Sequence, residues 1–267
     1  MAQSPITGKQ PEKKVVLRTQ GLAKVFGALI AVNSVDFELH SGELHAIIGP
    51  NGAGKTTFFN LISGKLKPTR GRVFLTGHNI TGRPPYEIAR QGLARSFQIS
   101  NLMWGLTVFE NVRLAVQARR GGSACMLASP RKFGPVIQDA YQVLERVGLT
   151  EVCRSKVTEL SHGMQRQLEI ALTLALEPKV ILLDEPTAGM ARDETETLAR
   201  LIKELSREVP ILLIEHDMDV VFTVADKISV LYYGQMLFSG LPEEVSGNKQ
   251  VIEAYLGKSR EVRECST

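Results

Sequence analysis

Residues 49–57 read GPNGAGKTT, a complete GxxxxGK[ST] sequence. An apolar run at 44–48 precedes it and a stretch of helical texture at 55–63 follows it. Strand, glycine-rich turn and helix in that order are the setting of a phosphate-binding loop. Gly49, Gly52 and Gly54 are expected to let backbone N–H groups close on an anion, where a Cβ would obstruct either the approach or a positive φ. Lys55 offers a point charge to β- and γ-phosphates and Thr56 a hydroxyl to Mg²⁺. The following helix aims its positive end at the same anion. Pro50, Asn51, Ala53 and Thr57 complete the cradle. The loop predicts a site for ATP or GTP with Mg²⁺.

Further along, Val180 and Ile181 lead into Leu182-Leu183-Asp184-Glu185, which places two carboxylates at the end of a buried strand. That is the edge at which open α/β sheets bind ligands. Adjacent acids at a strand end can be a solvated turn, but beside a phosphate loop they acquire separate tasks. Asp184 can hold Mg²⁺ directly or through water, and Glu185 can polarise the water that attacks the γ-phosphate. A second apolar run, 211–214, ends in Glu215-His216-Asp217 and brings a histidine to the same edge. An imidazole N–H there can donate to developing phosphate charge and orient the water or Glu185. Catalysis is therefore assigned to Glu185, His216 and Lys55.

Residues 15–75 are strand-rich, with runs at 15–18, 32–39, 44–48 and 72–75 that read as one sheet lobe. Between 107 and 176 the texture turns helical: 108–119, 135–147 and 163–174 place apolar residues three and four apart. The intervening loop, 120–134, is expected to be exposed and mobile. Strand runs at 180–183, 211–214 and 228–233 then alternate with helical runs at 192–207 and 218–225. That alternation implies a parallel sheet resuming after a helical insertion. The whole is an α/β fold with an expected disordered lead at 1–13 and a tail at 258–267.

A chain of 267 residues suits one nucleotide-binding unit with an inserted subdomain. No run approaches the roughly 18 apolar residues of a membrane-spanning helix. The start, MAQSPITGKQPEKK, lacks the apolar core of a signal peptide, so a cytosolic address is expected. Cys125, Cys153 and Cys265 have neither metal-ligand nor CxxC spacing. The net charge of +4 comes from basic residues spread along the chain, so nucleic acid is not an expected partner.

Residues 160–167, LSHGMQRQ, open an amphipathic helix, with Ser161 suited to its N-cap and Gly163 to close backbone approach. The phosphate loop upstream and Asp184-Glu185-Pro186 downstream complete an order that resembles the ATP-binding cassette family, whose signature motif is matched at Leu160, Ser161 and Gly163. The resemblance covers roughly 15–256. It implies a P-loop NTPase fold with a RecA-like core, an antiparallel β lobe and a helical subdomain at about 99–176, all within a domain at 14–257. It also implies that two cassettes sandwich ATP head to tail, so that Ser161 and Gly163 cap the γ-phosphate held by the other subunit. Phe26 matches the ring that stacks on adenine, and Gln98 the glutamine that reaches Mg²⁺. His162 and Met164 depart from the usual LSGGQ wording. The stretch TAGM at 187–190 replaces SALD, leaving no aspartate in that interface loop.

Three features narrow the resemblance: FQISNLMWGLTVFENV at 97–112, AGM followed by acidic residues, and VIEAYLG at 251–257. They are similar to the ATP-binding subunits of branched-chain amino acid importers, and the long loop at 120–134 favours the larger of their two paired kinds. Urea-type importers and the lipopolysaccharide-export ATPase share some of this wording, and a soluble cassette ATPase is a further alternative. The implied partners are integral-membrane permease subunits, a second ATPase subunit and, indirectly, a solute-binding protein. The implied place is the cytoplasmic face of a bacterial inner membrane. Leu102, Met103, Trp104 and Phe109 make 98–112 a candidate permease contact, with packing of the helical segment as the other use of those side chains.

Overall fold

The computed structural model describes residues 14–96, 102–121 and 133–254. Two long strands, β1 (Val15–Phe26) and β2 (Leu29–His40), pair antiparallel and close with Phe26 opposite Leu29. Gly27, at φ +58°, supplies the left-handed backbone that so short a turn requires. β4 (Arg70–Leu75) and β5 (His78–Asn79) extend this sheet in the order β2-β1-β4-β5.

β3 (Leu44–Ile48) leaves that lobe and becomes an inner strand of a second sheet, ordered β10-β9-β3-β8-β7-β6. Its partners are β6 (Leu93–Arg95), β7 (Val180–Asp184), β8 (Ile211–Ile214), β9 (Lys227–Tyr232) and β10 (Gln235–Gly240). All pairings are parallel except β9 with β10. Every residue of β3, β7 and β8 is buried, which is why these strands read as unbroken apolar runs. The sequence expectation that placed 44–48 in the first lobe is thereby corrected. An apolar run declares burial on both faces, but not which sheet does the burying.

Helices cover both faces of this sheet. α1 (Lys55–Ile62) packs with the antiparallel lobe around Phe58, Phe59, Ile47, Leu182, Leu212 and Ile214. The opposite face, carrying Leu44, Ala46, Ile48, Ile181, Leu183 and Leu213, meets a larger apolar cluster. That cluster draws on α3 (Val108–Arg119), α4 (Phe133–Arg146), α5 (His162–Leu174), α6 (Arg192–Ser206) and α7 (Met218–Val224). Alternate residues of the same strands thus serve two cores, as the period of two requires. The sheet edge between the cores is where the loops emerge. Two short helices, α2 (Pro85–Arg90) and α8 (Pro242–Ser246), complete the named elements. Among the described residues no helix is long and apolar enough to cross a membrane.

α3 begins where sequence predicts, fixed by a reciprocal capping box: Glu110 N–H donates to the Thr107 hydroxyl at 3.2 Å, and Thr107 N–H to the Glu110 carboxylate at 2.9 Å. The boundaries of α4, α5 and α6 fall within two residues of the predicted ones. β1 instead runs on to Phe26, well past the predicted end at 18, through bulges that keep Leu22 and Ala23 buried. The loop at 120–134 lies mostly outside the described residues.

Candidate active site

The glycine-rich loop is shaped first by its own protein neighbours. A Cβ on Gly49, at φ +155°, would stand 2.1 Å from the Leu231 carbonyl oxygen of β9. One on Gly54, at φ +102°, would stand 2.3 Å from the Ala31 carbonyl oxygen of β2. At Gly52 a Cβ meets no protein atom within 4 Å, and the left-handed backbone at φ +80° favours glycine there. At Gly49 and Gly54 the scaffold by itself excludes a Cβ, in addition to the close approach to an anion that the sequence predicts. The Gly234 N–H donates to the Ala53 carbonyl at 2.9 Å and Asn33 N–H to the Gly234 carbonyl at 2.8 Å, tying the loop to both sheets.

Lys55 reaches back across the loop it terminates. Its ammonium donates to the carbonyls of Gly49 at 2.6 Å and Pro50 at 3.1 Å, and the residue is 6% exposed. The charge is thus held inside the curve of the cradle. Gly54 caps α1 without any side-chain hydrogen bond, so the first-turn N–H groups keep the anion affinity of a helix start. Asn51 and Thr56 are exposed, Pro50 and Thr57 half-buried.

Parallel register carries the acids to the same edge. Asp184 of β7 pairs with Ile214 of β8, and Ile214 with Ile47 of β3, so the residues that follow these strands emerge side by side. Glu185 sits at φ +51°, a left-handed backbone uncommon outside glycine. Its N–H donates to the Ile214 carbonyl at 2.8 Å, and its carboxylate oxygen Oε1 lies 2.6 Å from His216 Nε2. Both side chains are partly exposed. The structure therefore brings Lys55, Asp184, Glu185 and His216 to one sheet edge, where a carboxylate can take a water proton and an imidazole N–H can orient it.

Asp184 is different: its carboxylate is fully buried. Oδ2 accepts from Arg95 Nη2 at 2.7 Å, whereas Oδ1 has no hydrogen-bond partner. A buried, unpartnered carboxylate oxygen is costly, and a cation or its water shell is the chemistry that would satisfy it. Arg95 also donates to Asn60 at 2.7 Å and Ser63 at 3.0 Å, at the helix that carries the phosphate loop. Sequence reasoning missed Arg95. The available signal was one charge in an otherwise apolar run just before residue 98. Glu215 was also missed. Buried, it accepts from the Thr187 N–H at 3.0 Å, the Thr187 hydroxyl and the His216 N–H at 2.9 Å, and so fixes the 187–190 loop.

Ser161 caps α5, accepting from the Met164 N–H at 3.3 Å, and is exposed, while Gly163 is buried. These two residues are positioned by α5, which packs on α3, α4 and α6, and not by the sheet edge. Phe26 is 45% exposed at the tip of the β1–β2 hairpin, beside exposed Val25, Leu29 and Ile30. Lys24 Nζ stands 5.0 Å from its ring centroid. Gln98 lies outside the described residues, as do Cys125 and Cys265.

Comparison with known proteins adds a lineage to this geometry. The family model described as ABC transporter matches residues 32–188, and that described as branched-chain amino acid ATP-binding cassette transporter matches 235–261. The chain is 41% identical over 251 residues to the high-affinity branched-chain amino acid transport ATP-binding protein LivG of Escherichia coli (strain K12), covering 91% of this chain and 98% of that protein. The corresponding BraF protein of Pseudomonas aeruginosa is 39% identical over the same shares of the two chains. Among solved structures, the ADP conformation of MJ1267, an ATP-binding cassette of an ABC transporter, superposes with a TM-score of 0.79 at 31% identity, covering 91% of this chain and 99% of that one.

Proposed function

The chain belongs to the ABC transporter family of ATP-binding proteins, and from that premise we propose that it is the ATP-hydrolysing subunit energising import of branched-chain amino acids through separate permeases. The observation that carries the substrate class is the 41% identity to LivG across nearly both whole chains, joined to the branched-chain match at 235–261. We take 14–257 as the ATP-binding domain, with a helical subdomain at about 99–176, as the resemblance implies.

In this reading the loop backbone from Gly49 to Thr57 and the start of α1 bind the triphosphate, with Lys55 contributing its charge. Phe26 offers its exposed ring to adenine. Thr56 and Asp184 would hold Mg²⁺, the unpartnered Oδ1 of Asp184 being the fitting donor, with Gln98 the further ligand that the resemblance implies. Held by those residues, Mg²⁺ would supply positive charge against the phosphates. Glu185 accepts a proton from the attacking water, and the single N–H of a neutral His216 holds that carboxylate until it turns to the phosphoryl oxygens of bound nucleotide. Ser161 and Gly163 meet the nucleotide held by a second cassette, a related subunit or another copy of this chain.

Coupling requires a contact with the membrane partners at the cytoplasmic face. A groove of about 450 Å³ between α2, β6, α3 and α5 supports one, with Ile88, Leu93, Leu114, Ala115 and Leu172 in its walls and exposed Met103 at its rim. Such an apolar recess, reaching Arg95 and Ser96 beside Asp184, suits a permease loop. A solute-binding protein selects the amino acid outside.

The test is a mild-detergent pull-down from native membranes. Two permeases, a second cassette and an amino-acid-binding protein are expected. Export permeases, urea-importer components or an entirely soluble set of partners would overturn the assignment.

A further inference from the structure

The start of α5 is an oxyanion-binding corner, and the chain fills it with its own carboxylate. Oε1 of Glu194, in the first turn of α6, accepts the Ser161 hydroxyl at 2.8 Å and the Gly163 N–H at 3.1 Å. These are the two donors assigned above to a γ-phosphate. Contact is close: a Cβ on Gly163 would lie 2.9 Å from that oxygen. The Ser161 hydroxyl first, then the Gly163 N–H, hold the Glu194 carboxyl below its ordinary range, so the occupant is an anion at neutral pH.

A hydroxyl and an amide each carry one hydrogen, so neither can serve Glu194 and a phosphate oxygen fully at once. Two anions at this spacing also repel. Occupation is therefore mutually exclusive. The displaced side chain has somewhere to go, because Glu194 stands three residues after Ala191, the N-cap of its own helix, whose N–H is within electrostatic reach of the carboxylate. Rotation about the side-chain bonds of Glu194 would free the corner without moving α5 or α6.

We propose that Glu194 is a resident competitor for the γ-phosphate, which occupies the signature corner until nucleotide on the partner cassette displaces it and which thereby sets the ATP concentration at which the cassettes close. This inference rests on the reading that Ser161 and Gly163 meet nucleotide across the cassette interface. If Glu194 were only a strut between α5 and α6, its removal would weaken closure; as a competitor, its removal strengthens closure.

The experiment measures ATP hydrolysis against ATP concentration in the assembled transporter, purified with its permeases and second cassette. A corner free about a tenth of the time weakens apparent affinity about tenfold, so Glu194→Ala should lower the half-saturating ATP concentration by about that factor. Glu194→Gln, which keeps an acceptor oxygen but loses the charge, should fall between. Ser161→Glu, which plants a permanent carboxylate, should suppress hydrolysis. Normal hydrolysis by Ser161→Glu would overturn the cross-interface reading. Suppression there, with Glu194→Ala unchanged or shifted to higher ATP, would overturn the competitor alone. Binding of a fluorescent ATP analogue to the isolated full chain checks folding, and if Glu194→Ala fails that check, Glu194→Gln decides by the same direction of shift.

Discussion

That Lys55, Asp184, Glu185 and His216 would share one sheet edge was legible because each stands in a short motif whose neighbours announce strand or helix. Arg95 and Glu215 were not, because their roles come from partners far along the chain: the Arg95–Asp184 bridge joins residues 89 apart through parallel register. That bridge is buried, with the two side chains 8% and 0% exposed. Removing one partner leaves an uncompensated charge, so Arg95→Met should cost about 3 to 5 kcal/mol of stability, read from denaturant midpoints. A loss under about 1 kcal/mol would show that water already reaches Asp184. At Gly49 the expected direction is equally sharp. A methyl group 2.1 Å from the Leu231 carbonyl must displace backbone, so Gly49→Ala should abolish nucleotide binding, whereas Gly52→Ala, free of that clash, should retain measurable binding by titration with a fluorescent nucleotide.

Strands and helices bordered by caps or buried on two faces were readable. α3 begins at its capping box, and β3, β7 and β8 declared themselves as apolar runs. β6, with three residues, was too short to show a period, and β10 is a half-exposed edge strand paired antiparallel to β9. Neither carries a signal that a loop could not also carry. The Thr107 hydroxyl accepts the Glu110 N–H in the first turn of α3, so Thr107→Ala should lower stability by about 1 kcal/mol. Thermal melting checks it, and since α3 borders the apolar groove, weakened permease capture at unchanged ATP binding is the accompanying expectation.

At the scale of the whole molecule, sequence order sufficed for the architecture, because loop, signature segment and acidic strand end follow one another in a fixed sequence. Shape and charge between distant segments did not follow from it. Around the junction of the two sheets, His40 and His45 flank a buried Glu43, with contacts of 3.0 and 3.3 Å to its carboxylate. Burial alone would raise the Glu43 carboxyl, but His45 and His40 hold it down to about 2, against 4.5 when free. A depressed carboxylate contributes stability that is fully present above about 4.5 and is lost as pH falls toward 2. Melting temperature should therefore fall along that limb, and Glu43→Gln should flatten it. The central claim is that this cassette spends ATP through Glu185 at the sheet edge. Its most direct test compares nucleotide binding and phosphate release by the assembled transporter carrying Glu185→Gln: binding should match the parent while turnover drops by on the order of 10² to 10³. Parental turnover in that variant would contradict the account.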